Sequence, residues 1–154
     1  MILVSACLAG INCRYDGKNS FNKAICRLVA EGVAIPACPE QLCGLPTPRA
    51  PAEIKAGCGA GVLDGKCRVI NKEGLDVTGN FIRGAEETLK IAVTAGVKKA
   101  VLKSGSPSCG CGRIYDGTFS GRMTDGNGVA AEMLMRNGIE VISEEFFKFS
   151  IAEA

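Results

Sequence analysis

The chain contains no histidine and no tryptophan, and its remaining aromatics are two tyrosines and six phenylalanines. Without histidine, mixed Cys/His zinc sites and every imidazole general base are excluded. Any acid–base chemistry falls to Asp, Glu, Lys, Tyr or Cys. So few aromatics also argue against a stacking platform for single-stranded nucleic acid. Charge of one sign is scarce as well. The formal net charge is +2, and no basic run exceeds the pair Lys98-Lys99. A polynucleotide partner is therefore not indicated. Apolar runs are short, and none approaches the ~20 residues of a membrane span. The opening "MILVSACL" has no charged segment ahead of a long apolar stretch. It reads as a strand rather than a signal peptide, and the cytoplasm is the expected compartment.

Cysteine and glycine are abundant instead, with nine and 20 in 154 residues. An odd cysteine count with no export signal makes a poor disulfide framework. Clustered thiols in a reducing compartment point to metal binding or catalysis. The length fits one domain over residues 1–154 with a full hydrophobic core.

Strand and helix patterns alternate along the chain. Strands are expected at 2–6, 33–37, 99–103 and 139–143, with Pro36 confined to an end or an irregular position. Helices are expected at 22–31, 79–95 and 127–137, ending at Gly32, Gly96 and Gly138. "VLDGKCRVI" reads as a small β-hairpin with Asp64-Gly65 at its turn. The stretch 39–61 and the loop 104–125 show little regular pattern, and a short terminal helix opens at Ser143. The fold class is α/β with a mostly parallel sheet and a small hairpin insertion. "RYDG" (14–17) recurs as "RIYDG" (113–117), two copies being too few for a duplication. Asp16 and Asp116 there suit turns through side-chain to backbone bonds.

In open α/β sheets, ligands bind beyond the carboxyl ends of the strands. Cys7, Cys38 and Cys109 each follow an expected strand, in "ACLAG", "ACPE" and "SPSCG". Three thiolates on an iron–sulfur cluster leave one iron open as a Lewis acid. Arg14, Arg49, Lys103 and Arg113 lie in the same loops and would offset the cluster's negative charge. Backbone amides of the Gly/Ser turns, as around Gly110, would donate to its sulfides. Glu40, two residues after Cys38, is either a general base or a solvated surface charge. Cys26, Cys58 and Cys67 read as packing thiols. Cys13, Cys43 and Cys111 neighbour the site loops as fourth ligand, redox partner or bystander. Two other readings stay open: a structural or sensing zinc or cluster module without turnover, and a thiol oxidoreductase using Cys109 and Cys111.

"VSACLAGINCRYDGK", "CPEQLCGLPTPR" and "SPSCGCGRIYDGTFSG" resemble the three signature blocks of a bacterial and archaeal family of unknown function, DUF523. That family includes the thiouracil desulfidases, and the resemblance spans nearly the whole chain. It implies a single Rossmann-like, three-layer α/β domain holding a non-redox [4Fe-4S] cluster on Cys7, Cys38 and Cys109. It further implies Glu40 as the acid–base residue, assisted by Ser106 or Ser108, with Ser106 favoured. The implied substrate is a small thiolated pyrimidine base. Cys43 and Cys111 stand where family members often carry glycine and a small residue.

Overall fold

The computed structural model describes residues 1–148. Its centre is a four-stranded parallel sheet. The strands are β1 (Ile2–Ser5), β2 (Ala34–Ala37), β5 (Lys99–Leu102) and β8 (Glu140–Ser143), in the order β2-β1-β5-β8. Val4 pairs with Pro36 on one side and Val101 on the other. Strand side chains alternate between faces. Val4 and Val101 therefore join Ile25 and Leu28 on one face, while Leu3, Ala100 and Leu102 join Ala92 and Leu134 on the other. Burial on both faces is why these strands read as continuous apolar runs. Pro36 sits on edge strand β2, where the missing N–H is tolerated.

Helix α1 (Lys23–Ala30) covers the first face. It is capped by Asn22, whose side chain accepts from Ile25 N at 3.2 Å. Helices α4 (Thr78–Thr94) and α5 (Val129–Arg136) cover the second. These four strands and three helices match the sequence expectation, and each of the three helices is followed by a left-handed glycine, at Gly32, Gly96 and Gly138. No helix among the described residues is long and apolar enough to cross a membrane.

Four expectations change. The stretch 39–61 is not irregular: it contains α2 (Pro39–Leu42), β3 (Ala52–Lys55) and the start of α3 (Gly59–Leu63). The expected 62–70 hairpin does not form. Asp64 is instead the C-cap of α3, and β4 (Arg68–Asn71) pairs antiparallel with β3. Residues 59–63 are helical and 68–71 pair with 52–55, and the turn between them packs the Cys67 side chain so tightly that a Cβ on Gly57 or Gly61 would fall 2.2 or 2.4 Å from its Sγ. These glycines mark a close approach rather than a turn. The loop 104–125 holds a second hairpin, β6 (Arg113–Tyr115) with β7 (Met123–Asp125). After β8, Ser143 Oγ accepts from Glu145 N at 3.3 Å, but residues 144–146 form a turn and 147–148 are irregular, so no helix forms among the described residues. The rest of that expected helix lies outside the described residues.

Helix α4 lies close enough to α2 that a Cβ on Gly84 would stand 2.1 Å from Pro39 O. Gly→Ala inside a helix ordinarily stabilises by about 0.4–1 kcal/mol. Gly84→Ala is expected to destabilise instead, by roughly 1–3 kcal/mol, because it overpacks a backbone contact. Urea unfolding of the two proteins checks the sign.

Candidate functional site

The chain runs from β1 out to β2 on one side and then to β5 on the other, so the crevice between β1 and β5 is the topological switch point. Loops leaving β1, β2 and β5 enclose a cavity of about 340 Å³ there. Cys7 lies in a single 3-10 turn, Ala6–Ala9, directly after β1. Cys38 is the extended residue that opens α2, with Pro39 presetting the first helical position. Cys109 lies in the loop after β5, its N–H donating to Ser106 Oγ at 3.1 Å. All three line the cavity, and Cys13 joins them. Cys13 and Cys7 are both buried in the same core cluster, with Cys38 packed against it. Cys38 Sγ also donates to Cys13 O at 3.8 Å.

Burial pushes the Cys109 thiol up to about 12, with the charges of Cys38 and Glu40 adding to it and hydrogen bonds from Ser5 and Ser108 opposing. The Cys38 contact lowers Cys13, yet the Cys7 hydrogen bond and burial outweigh it and push Cys13 up to about 11. Cys38 is raised by its Cys13 hydrogen bond and by burial. These thiols hold their protons until a cation displaces them. Soft sulfur donors of this kind suit an iron–sulfur cluster. Among the described residues, no group of three or more His, Cys, Asp or Glu is gathered tightly enough for a single metal ion. Cys7, Cys38 and Cys109 instead line one cavity, and the fit to a cluster rests on the chemistry of these sulfur donors.

Glu40 shares the cavity, and both its oxygens are held. Arg49 Nε donates to Oε1 at 3.2 Å, and Ser108 Oγ donates to Oε2 at 3.0 Å. Arg49 is itself buried, at 5% side-chain exposure, and its guanidinium also reaches Cys13 O at 2.8 Å. Ser106 Oγ stands 2.9 Å from Ser108 Oγ and accepts from Ser108 N at 3.2 Å. Of the two serines, Ser108 is the one that touches Glu40.

The other expected residues fall in different places. Lys103 and Arg14 line the cavity, while Arg49 and Gly110 do not. Lys103 Nζ is paired with Glu144 Oε1 at 3.0 Å. Burial raises the Glu144 carboxyl, but Lys103 and Ser104 more than offset it and leave it below the usual carboxylate range. Arg49 acts behind Glu40 rather than on the cavity. The Gly110 N–H is spent on Ser106 O at 2.8 Å. Arg113 is exposed on β6. Cys43 Sγ donates to Glu40 O at 2.8 Å, and Cys111 Sγ donates to Val141 O at 3.5 Å beside the core. Cys58 and Cys67 pack against the core around β3 and β4. Cys26 is half-buried on α1, beside rather than within the face of Ile25 and Leu28. Sequence reasoning passed over Glu53, Tyr15, Tyr115 and Phe119, which also line the cavity. The repeated "YDG" was the available signal for the two tyrosines.

A family model described as 2-thiouracil desulfurase matches residues 2–146. The uncharacterized protein YbbK of Bacillus subtilis (strain 168) is 49% identical over 144 residues, 94% of this chain and 95% of that protein. The solved structure of the [4Fe-4S]-dependent thiouracil desulfidase TudS matches with a TM-score of 0.82 at 46% identity, covering 94% of this chain and 90% of that one.

In cluster-free protein at about pH 8, Cys38 and Cys109 are expected to alkylate more than about tenfold slower than an ordinary cysteine, since only thiolate reacts. Their rates should climb as pH rises. Peptide mapping after short iodoacetamide pulses measures this, and fast labelling independent of pH would contradict it.

Proposed function

The chain belongs to the 2-thiouracil desulfurase family, and we propose that it removes sulfur from a thiolated pyrimidine base using a [4Fe-4S] cluster held by Cys7, Cys38 and Cys109. The observation that carries this reading is the Glu40 carboxylate, fixed at both oxygens within the cavity that those three thiols line. When bound, a cluster on three protein thiolates supplies a Lewis-acidic iron for the thiocarbonyl sulfur. The overall exchange replaces sulfur by the oxygen of water, giving the oxo base and hydrogen sulfide, and needs no electron donor.

Glu40 is the group that takes the proton from the attacking water. Arg49 keeps Oε1 oriented, its Nε donating to that oxygen at 3.2 Å. Ser108 directs its proton to Oε2 at 3.0 Å, with Cys109 Sγ a longer second acceptor at 3.8 Å, so the Ser106–Ser108 bond is donated by Ser106. Ser106, Ser108 and Glu40 then form one hydrogen-bonded chain, along which a proton moves between the cavity and the carboxylate. Ser106 is the half-buried member at the cavity end, and Ser108 is the buried member against Glu40. Pro39 and the short α2 hold Cys38 and Glu40 in fixed relation, ligand and base being only two residues apart. Cys13 borders two of the ligands and serves to place them.

Purified without oxygen, the protein is expected to carry about four iron and four sulfide per chain, as the cluster type requires. Cys38→Ala should lose most of both. Glu40→Gln should keep them and lower kcat by about 10²–10⁴-fold, the usual share of a general base. Full activity of a cluster-loaded Glu40→Gln enzyme would remove the role given to Glu40.

A further inference from the structure

Both tyrosines of this aromatic-poor chain line the same cavity, together with Phe119. The two tyrosines come from the two copies of "YDG", and the copies are built alike. In the first, Asp16 Oδ1 accepts from Lys18 N at 3.0 Å; in the second, Asp116 Oδ1 accepts from Thr118 N at 2.9 Å. Each aspartate closes a tight turn just after its tyrosine. Tyr15 is further pinned because its carbonyl accepts from Arg49 N at 2.8 Å, and the Arg14 guanidinium stands 5.9 Å from its ring centroid. The Tyr115 ring lies over Gly105, which also lines the cavity. Both tyrosines remain 41% exposed as residues.

Phe119 is held more tightly still. Its φ is 55°, a left-handed conformation that bulky residues rarely adopt. Such strain persists only where the surroundings enforce it. The enforcing group is Glu53 on β3, whose Oε1 accepts from Gly117 N at 3.0 Å and from Phe119 N at 3.2 Å. Gly117 presses against β3 so closely that a Cβ there would fall 2.5 Å from Ile54 O. A buried packing residue would need no such arrangement. A ring presented to a ligand does.

We infer that Tyr15, Tyr115 and Phe119 form an aromatic clamp that selects a flat, aromatic pyrimidine ring, with Glu53 as the positioning residue that sets Phe119. The clamp rests on the desulfidase reading for which ring arrives, but it acts on the ring face and not on the sulfur. Flat heteroaromatic rings stack on such side chains, whereas a puckered saturated ring of the same hydrogen-bonding edges does not.

The test compares uracil with 5,6-dihydrouracil, which keeps the polar edge and loses planarity. Calorimetry on the cluster-loaded enzyme is expected to show uracil binding about tenfold tighter, the scale of one stacking contact. Because the chain has no tryptophan and both tyrosines line the cavity, tyrosine fluorescence reports on the same event. Phe119→Leu should erase most of the preference while iron per chain stays unchanged. Glu53→Ala should do the same, and Glu53→Gln should keep the preference, because an amide oxygen accepts the same two N–H groups. Equal affinity for the two rings, binding of neither, or an undiminished preference in Phe119→Leu overturns the clamp. Turnover of 2-thiouracil on the same samples separates the two claims. Normal turnover without ring preference removes the clamp alone, and ring preference without turnover removes the desulfidase reading alone.

Discussion

Strand β1 pairs in parallel with β2 on one side and β5 on the other, with Leu3 opposite both Ile35 and Ala100. Parallel pairing forces all three strands to end at the same edge of the sheet. The segments that follow must therefore leave side by side, whatever their distance in sequence. Cys7, Cys38 and Cys109 span more than a hundred residues and still border one cavity for that reason. The apolar faces of β1 and β5 lock this arrangement, since Leu3, Val4, Ala100 and Val101 are all buried. Burial of side chains of this size contributes roughly 1.5–3 kcal/mol each for the larger ones.

A second constraint is electrostatic. Arg49 is a nearly buried cation, and a buried charge persists only when paired and hydrogen-bonded. Its partners come from three segments: Glu40 on α2, the Cys13 carbonyl after β1, and Pro46 O with Thr47 Oγ1 in its own loop. One guanidinium thus ties the Glu40 carboxylate to the loop that carries a cavity thiol. Lys103 and Glu144 repeat the device on the other side, joining the loop after β5 to the turn after β8.

The central sheet, its three covering helices and the three aligned cysteines were legible in the sequence, because apolar periodicity and glycine stops are local signals. The antiparallel pair β3–β4 was not. "VLDGKCRVI" carries good hairpin chemistry, but Gly57 and Gly61 answer to the Cys67 side chain, a contact made only in three dimensions. At the site, its spacing to Cys38 left Glu40 open between a general base and a surface charge, and the family resemblance singled it out. The preference for Ser106 over Ser108 was not decidable from spacing, since it turns on which hydroxyl faces Glu40. Arg49 was seen as a charge near the cofactor. Its actual place is behind the carboxylate, which depends on the fold of the 46–49 loop. Cys13 stayed open as fourth ligand, redox partner or bystander because nothing local ties it to Cys38, whose thiol reaches its carbonyl only in the fold.

Pro36 interrupts a strand-like run in the sequence, yet it stands inside β2 at the margin of the sheet. An exposed sheet margin is a template on which another chain can add a strand and begin to aggregate. Proline has no N–H to offer such a chain, and its ring obstructs close pairing. Strand addition here would pull on the two residues that follow, Ala37 and Cys38. The same proline that weakens the strand pattern therefore keeps a neighbouring molecule from drawing a cavity thiol out of place.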